Sequence, residues 1–264
     1  MSAPEISEPV RVEREDGLAV VTFDAPPVNL FDEHMFTSLE KAISVIEEDL
    51  PRAVLFRAAG RVVSGGVDVK VFDAVESTGD GEALFARLLA VPRRLEVLPI
   101  PTVFAAHALT LTAAFELALG CDLILAAESA RFGLVERVVG LTPAMGGTQR
   151  LVQRAGPGRA RELVYTGELF DATTLAGWGV VNRVLPDEGF ADAAVAFTRG
   201  IADGPTRAHA ATKRIVRAAL DGGVEAADAI TAENAGGLFA THDLRNAVGS
   251  FLADGPGRAK FEGR

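Results

Sequence analysis

Apolar and polar positions along this chain follow two periods, which alternate up to about residue 190 and then give way to a single one. Short β-rich runs stand at Ala19–Phe23 (AVVTF), Ala53–Phe56 (AVLF), Thr102–Ala105 and Leu123–Leu125. Between them Phe36, Leu39, Ile43 and Ile46 recur at helical spacing, predicting a helix over roughly 33–48 with Asp32 as its N-cap. Leu84, Leu88 and Val91 predict a second over roughly 82–97. Strands alternating with helices predict an α/β architecture. Later segments read as helical, at Phe190–Ala202, Pro205–Leu220 and Asp243–Leu252, with Asp203-Gly204-Pro205 placing Pro at a first helical position. The pattern divides the chain into a body over 1–195 and a helical region over 196–264 suited to covering another subunit.

The most apolar stretch, Pro101–Ala127, has the length of a membrane span but contains His107, Glu116 and Asp122. An acid at mid-bilayer costs about 2.5–3.5 kcal/mol on insertion scales. Gly120-Cys121-Asp122 also reads as a helix stop followed by a new strand. The stretch therefore predicts strand, helix and strand inside a core.

Two acids stand out against that apolar background. Glu116 interrupts the stretch itself, and Glu136 sits between Phe132-Gly133-Leu134-Val135 and Val138-Val139. Carboxylates are rarely buried unpaired, because losing water penalises the charged form and raises the proton affinity. A general acid or base working near neutral pH needs that same shift. Taken alone, Glu116 reads as a structural acid with a backbone or Arg partner, and Glu136 beside Arg137 as a salt-bridged surface residue; together they suggest an acid/base pair in a closed pocket.

A glycine-rich turn and a helix start precede them. In Arg61–Lys70 (RVVSGGVDVK), Gly65-Gly66 permits a backbone that leaves N–H groups facing a ligand. A helix beginning near Thr112 would present the unbonded N–H of Ala113, at the positive end of the helix dipole, to a developing oxyanion. Glu116 would lie on roughly the same side one turn later. Asp68 reads as a turn anchor.

The sequence resembles the crotonase family of enoyl-CoA hydratases and isomerases. The matching text is SGGVDVK at 64–70, FELALGCDLILA at 115–126, ARFGLVE at 130–136, GLTPAMGGTQRL at 140–151, TGELFDATTLAGWGVVNRVLP at 166–186 and the terminal FLADGPGRAKFEGR. The resemblance implies a spiral of ββα turns with a C-terminal helical trimerisation region, assembled as a homotrimer or a dimer of trimers. It implies an oxyanion hole from the N–H groups of Val67 and Ala113, and Glu116 and Glu136 as the pair that adds water across the α,β double bond of an enoyl-CoA thioester. Ser64, Gly66, Asp68 and Lys70 are expected to line the substrate, Lys70 toward a CoA phosphate. No cofactor is expected beyond the coenzyme A of the substrate. One departure matters: the family carries Asn-Gly and then three glycines ahead of the first glutamate, whereas this chain has His107-Ala108 and Thr112-Ala113-Ala114. Alanine keeps the N–H donor if its φ is negative, and is strained by roughly 1–2 kcal/mol if it is positive.

Other chemistries find little support. The 264-residue chain has a net charge of −10, which argues against nucleic acid or an anionic membrane surface as partner. Its single Cys121 forms no internal disulfide and fits a reducing, cytoplasmic compartment. The N-terminal MSAPEISEPVRVERED lacks the basic and apolar regions of a signal peptide. Four scattered histidines (His34, His107, His209, His242) make no metal spacing, and Ser64 is in no nucleophile elbow. Gly146-Gly147 gives only a weak echo of a dinucleotide loop. An enoyl-CoA isomerase, a non-catalytic acyl-CoA binding protein, and a CoA-ester hydrolase or lyase on the same scaffold stay open beside the hydratase.

Overall fold

A computed structural model describes residues 8–264, so the first seven residues of the N-terminal stretch lie outside the described residues. The chain opens with a hairpin, β1 (Val10–Glu15) and β2 (Leu18–Phe23). Its Asp16-Gly17 turn has positive φ at both residues (47° and 80°), the twist a two-residue hairpin favours. Helix α1 (Glu33–Glu48) follows, and the Asp32 side chain accepts the Met35 N–H at 2.8 Å, the N-cap that its sequence predicts. Strand β3 (Ala53–Ala58), the short α2 (Lys70–Asp73) and α3 (Thr78–Val97) come next. The expected 82–97 helix thus begins four residues earlier, because Ser77 caps it by accepting the Asp80 N–H.

The apolar stretch resolves into β4 (Thr102–Ala106), β5 (Thr110–Leu111), α4 (Ala113–Gly120) and β6 (Leu123–Ala127). After it come β7 (Arg131–Gly133), a 3₁₀ turn at Glu136–Val139, α5 (Gly147–Thr166), β8 (Phe170–Asp171), α6 (Ala172–Gly177) and β9 (Arg183–Leu185). The main sheet has the order β1-β2-β3-β4-β6-β9, antiparallel only in its first pair. Strands β3, β4 and β6 are continuous apolar runs with Val54, Phe56, Val103, Phe104, Ile124 and Leu125 fully buried, as expected of a parallel sheet covered on both faces. A small second sheet, β5-β7-β8, leads from β5 into α4 and from β7 toward the 3₁₀ turn. No helix among the described residues is long and apolar enough to cross a membrane.

Three helices complete the chain: α7 (Phe190–Ala202), α8 (Thr206–Gly237) and α9 (His242–Asp254). Helix α7 crosses the boundary expected between 195 and 196 and packs on β2, β3 and β4. The body therefore runs through α7, since the apolar face of that helix covers the sheet. Two further expectations change. Pro205, at ψ 87°, caps α8 from outside instead of opening it. The predicted 205–220 helix continues past a break at Gly223 (φ 78°, ψ −173°) into a second helical segment. Lys213 ties α8 to the body, donating to Leu95 O, Ile100 O and Asp122 Oδ2 at 2.8, 3.2 and 2.8 Å.

Candidate active site

Glu116 lies one turn into α4, a helix whose eight residues are all buried. Its Oε1 accepts two backbone hydrogen bonds, from Met145 N at 2.9 Å and Gly147 N at 2.8 Å. The turn that supplies them needs glycine. Gly146 has φ 98°, and a Cβ on Gly147 would lie 2.7 Å from Glu116 Cγ. Arg150, one turn into α5, braces this cradle from behind by donating to Gly146 O at 3.1 Å and to both Glu96 oxygens at 2.8 and 2.7 Å. Arg217 of α8 reaches the same carboxylate at 2.8 Å. Burial raises Glu96, but hydrogen bonds from Arg150 and Arg217 outweigh it and hold the acid below its ordinary range.

Glu136 opens the 3₁₀ turn that follows β7. The expectation of a surface salt bridge fails here: Arg137 turns away and donates to Thr166 O at 2.6 Å, while both Glu136 oxygens are buried without a hydrogen-bond partner among the described residues. Loss of water pushes the Glu136 carboxyl up to about 7. Burial pushes Glu116 up to about 8; the charge of Glu136 adds to this, and the two backbone donors oppose it. Because the charge of Glu136 disfavours ionising Glu116, near-neutral pH leaves the pair holding a proton available for transfer.

The backbone of the two preceding turns meets beside α4. Phe31 bridges to the 66–68 segment through Phe31 N to Gly66 O (2.9 Å) and Asp68 N to Phe31 O (3.1 Å), which turns the Val67 N–H to the opposite side. Ala113 is the first residue of α4, so its N–H has no helical acceptor, and among the described residues neither N–H donates to another group. A Cβ on Gly66 would lie 3.0 Å from Thr112 Oγ1, which sets the residues just before Val67 and just before Ala113 against each other. The positive φ in the helix start falls on Thr112 (φ 45°) and not on Ala113. Alanine thus carries the donor at 113 without backbone strain.

The remaining expected residues divide. Ser64 has a buried hydroxyl that donates to Asn29 O at 2.7 Å and accepts the Gly66 N–H at 3.0 Å, so it shapes the turn instead of presenting its hydroxyl as a substrate contact. Gly66 (φ 108°) supplies a conformation that other residues resist, and its own N–H is used within the turn. Asp68 anchors the turn as expected, accepting the Lys70 N–H at 3.0 Å. Lys70 is exposed in a cleft of about 670 Å³ that also presents Asp32, Glu33, Asp68 and Asp80, an acidic surrounding for a phosphate contact. His107, where the family has Asn, places Nε2 3.0 Å from Gly60 O, and burial lowers its proton affinity. Sequence reasoning missed the Met145–Gly147 cradle and the Arg150–Glu96 pair. The available signal was Gly146-Gly147 at the head of an Arg-bearing helix, which reads more readily as a phosphate loop.

The fold has close counterparts. Residues 13–263 match the model of the enoyl-CoA hydratase/isomerase family. The short-chain-enoyl-CoA hydratase of Clostridium acetobutylicum is 29% identical over 257 residues, covering 96% of this chain and 97% of that protein. Two solved structures superpose over nearly the whole chain. One, from Geobacillus kaustophilus and described as subunit I of an enoyl-CoA hydratase, has a TM-score of 0.90 at 28% identity, with 98% of this chain and 100% of that one covered. The other, an enoyl-CoA hydratase from Mycobacterium smegmatis, gives 0.87 at 28%, with 93% and 96% covered. With its family match extending over the body and the helical region alike, the chain belongs to the enoyl-CoA hydratase/isomerase family, the crotonases.

Proposed function

We infer that the protein hydrates an α,β-unsaturated acyl-CoA thioester. The observation that carries this reading is the presence of two buried acids, Glu116 and Glu136, beside a pair of unused backbone donors. The thioester oxygen accepts from the N–H groups of Val67 and Ala113, which stabilise the enolate-like charge formed as water attacks the β carbon. Glu116, held through Oε1, orients the water with its other oxygen, and of the two acids the ionised one takes the water's proton while the protonated one delivers a proton to the α carbon. Water's O–H is thereby split across the double bond, and one proton transfer resets the pair. Coenzyme A belongs to the substrate, and the reaction balances with no further cofactor.

An isomerase moving the double bond along the chain requires one well-placed carboxylate, so the second buried acid favours hydration. The homotrimer or dimer of trimers is part of the same reading. The C-terminal helices leave Leu220, Val224, Phe239, Phe251 and Leu252 more than half exposed, an apolar surface suited to burial between subunits. Incubation with crotonyl-CoA and longer enoyl-CoAs tests the chemistry: the conjugated-thioester absorbance should fall and the product should gain the mass of one water. Activity only on β,γ-unsaturated substrates, with absorbance rising, would replace the reading with isomerisation. A light-scattering mass equal to the 27.7 kDa chain at micromolar concentration would overturn the assembly.

A further inference from the structure

Thr112 carries two costs that nothing among the described residues offsets. Its backbone stands at φ 45°, ψ −117°, a region that a β-branched residue occupies only under strain. Its hydroxyl is buried, the residue being 6% exposed, and has no hydrogen-bond partner. Threonine in a cap position ordinarily offers its oxygen to the N–H two or three residues on, and here no such bond forms. The neighbouring hydroxyls behave otherwise: Ser64 donates to Asn29 O and Thr110 to Ala108 O at 3.0 Å. A buried, unbonded hydroxyl costs about 1–3 kcal/mol. The Thr112 backbone is itself fixed, its N–H donating to Gly133 O at 2.9 Å and its carbonyl accepting from Glu116 N at 2.8 Å. The residue is therefore held between α4 and β7.

Its position gives the hydroxyl a use. The γ atoms project across to Gly66, with Oγ1 at 3.0 Å and Cγ2 at 3.5 Å from where a Cβ there would sit. Gly66 precedes Val67 and Thr112 precedes Ala113, so Oγ1 belongs to the residue next to one unused N–H and lies against the residue next to the other. We propose that Thr112 Oγ1 is a third hydrogen-bond donor to the thioester carbonyl of the bound acyl-CoA, acting with Val67 N–H and Ala113 N–H. The inference rests on the hydratase reading and extends its site by one side chain. A hydroxyl donor strengthens its bond as charge grows on the oxygen, so the effect belongs mainly to the transition state.

Thr112→Val tests this directly, since valine keeps the shape and the branching and removes only the donor. Thr112→Ser restores the hydroxyl with less bulk. Removing one oxyanion donor elsewhere costs about 10²–10³ in kcat, and with two N–H donors left a loss of about tenfold or more is expected in Thr112→Val, mostly in kcat. Thr112→Ser should recover most of it. Thermal denaturation should show Thr112→Val at least as stable as the wild type, because it deletes an unsatisfied group. Binding of para-dimethylaminocinnamoyl-CoA gives a second readout: carbonyl polarisation red-shifts this chromophore, and the shift should shrink in Thr112→Val and return in Thr112→Ser. A valine variant with unchanged kcat and an unchanged red shift overturns the proposal and leaves Thr112 as packing. If the wild type neither binds nor shifts the chromophore, the acyl-CoA reading itself fails, an outcome distinct from the first.

Discussion

The N–H of Gly147 donates to Glu116 Oε1 at 2.8 Å, and the carbon bearing that N–H has no room for a side chain, because a Cβ there would lie 2.7 Å from Glu116 Cγ. The distance that makes the bond also forbids the substitution. Gly147→Ala must push the carboxyl or the 145–147 turn aside. A displacement approaching 1 Å at a reacting group costs about 10²-fold in rate, and a loss of that order is expected in kcat. Far-ultraviolet circular dichroism should stay native, and steady-state kinetics beside it would check the two together.

Arg150 predicts a stability effect. It is 5% exposed and shares Glu96 with Arg217. Replacing it by Met strips a half-buried carboxylate of its bidentate partner while leaving Arg217 in place, and losing hydrogen bonds to a charged group costs about 1.5–3 kcal/mol. Arg217→Met removes a pair that is 40% exposed on the arginine side and should cost under about 1 kcal/mol. Urea denaturation of the two variants measures the contrast. Equal losses would mean that Arg150 does not anchor the cradle.

The two raised acids set the sign of a pH effect. Each binds its proton more tightly folded than unfolded, so each favours the folded state at low pH and loses that contribution as pH rises. The window runs from the ordinary carboxylate value of 4.5 up to about 8, through the folded values of both groups. Across it the wild-type melting temperature should fall relative to that of Glu116→Gln, which cannot ionise there. Thermal melts of both proteins at several pH values check this, and parallel curves would mean that Glu116 is not held protonated by burial.

Much of this molecule is legible in its sequence for identifiable reasons. The buried strands β3, β4 and β6 are uninterrupted apolar runs, and α1 announces itself through Phe36, Leu39, Ile43, Ile46 and the Asp32 cap. Glu116 and Glu136 are visible because acids in apolar text are costly. The rest depends on contacts distant along the chain. The donors to Glu116 come from 29 and 31 residues away, and no local pattern marks a backbone N–H as aimed at a side chain. Ser64 reads from the sequence as a substrate contact, because nothing local shows that Asn29 O and the Gly66 N–H occupy its hydroxyl. That α7 packs on the sheet was not legible, because a helix that covers a sheet and one that covers another subunit share the same amphipathic pattern.

The central claim, that Glu116 and Glu136 act as one acid/base pair on an enoyl-CoA, is tested most directly by a kinetic cycle of Glu116→Gln, Glu136→Gln and the double variant on crotonyl-CoA hydration. Each single change should lower kcat by about 10²–10⁴-fold while acyl-CoA affinity barely moves. The double variant should fall far short of the product of the single losses, because removing either acid already disables the pair. Turnover left intact by either substitution, or losses that multiply in the double variant, would contradict the account.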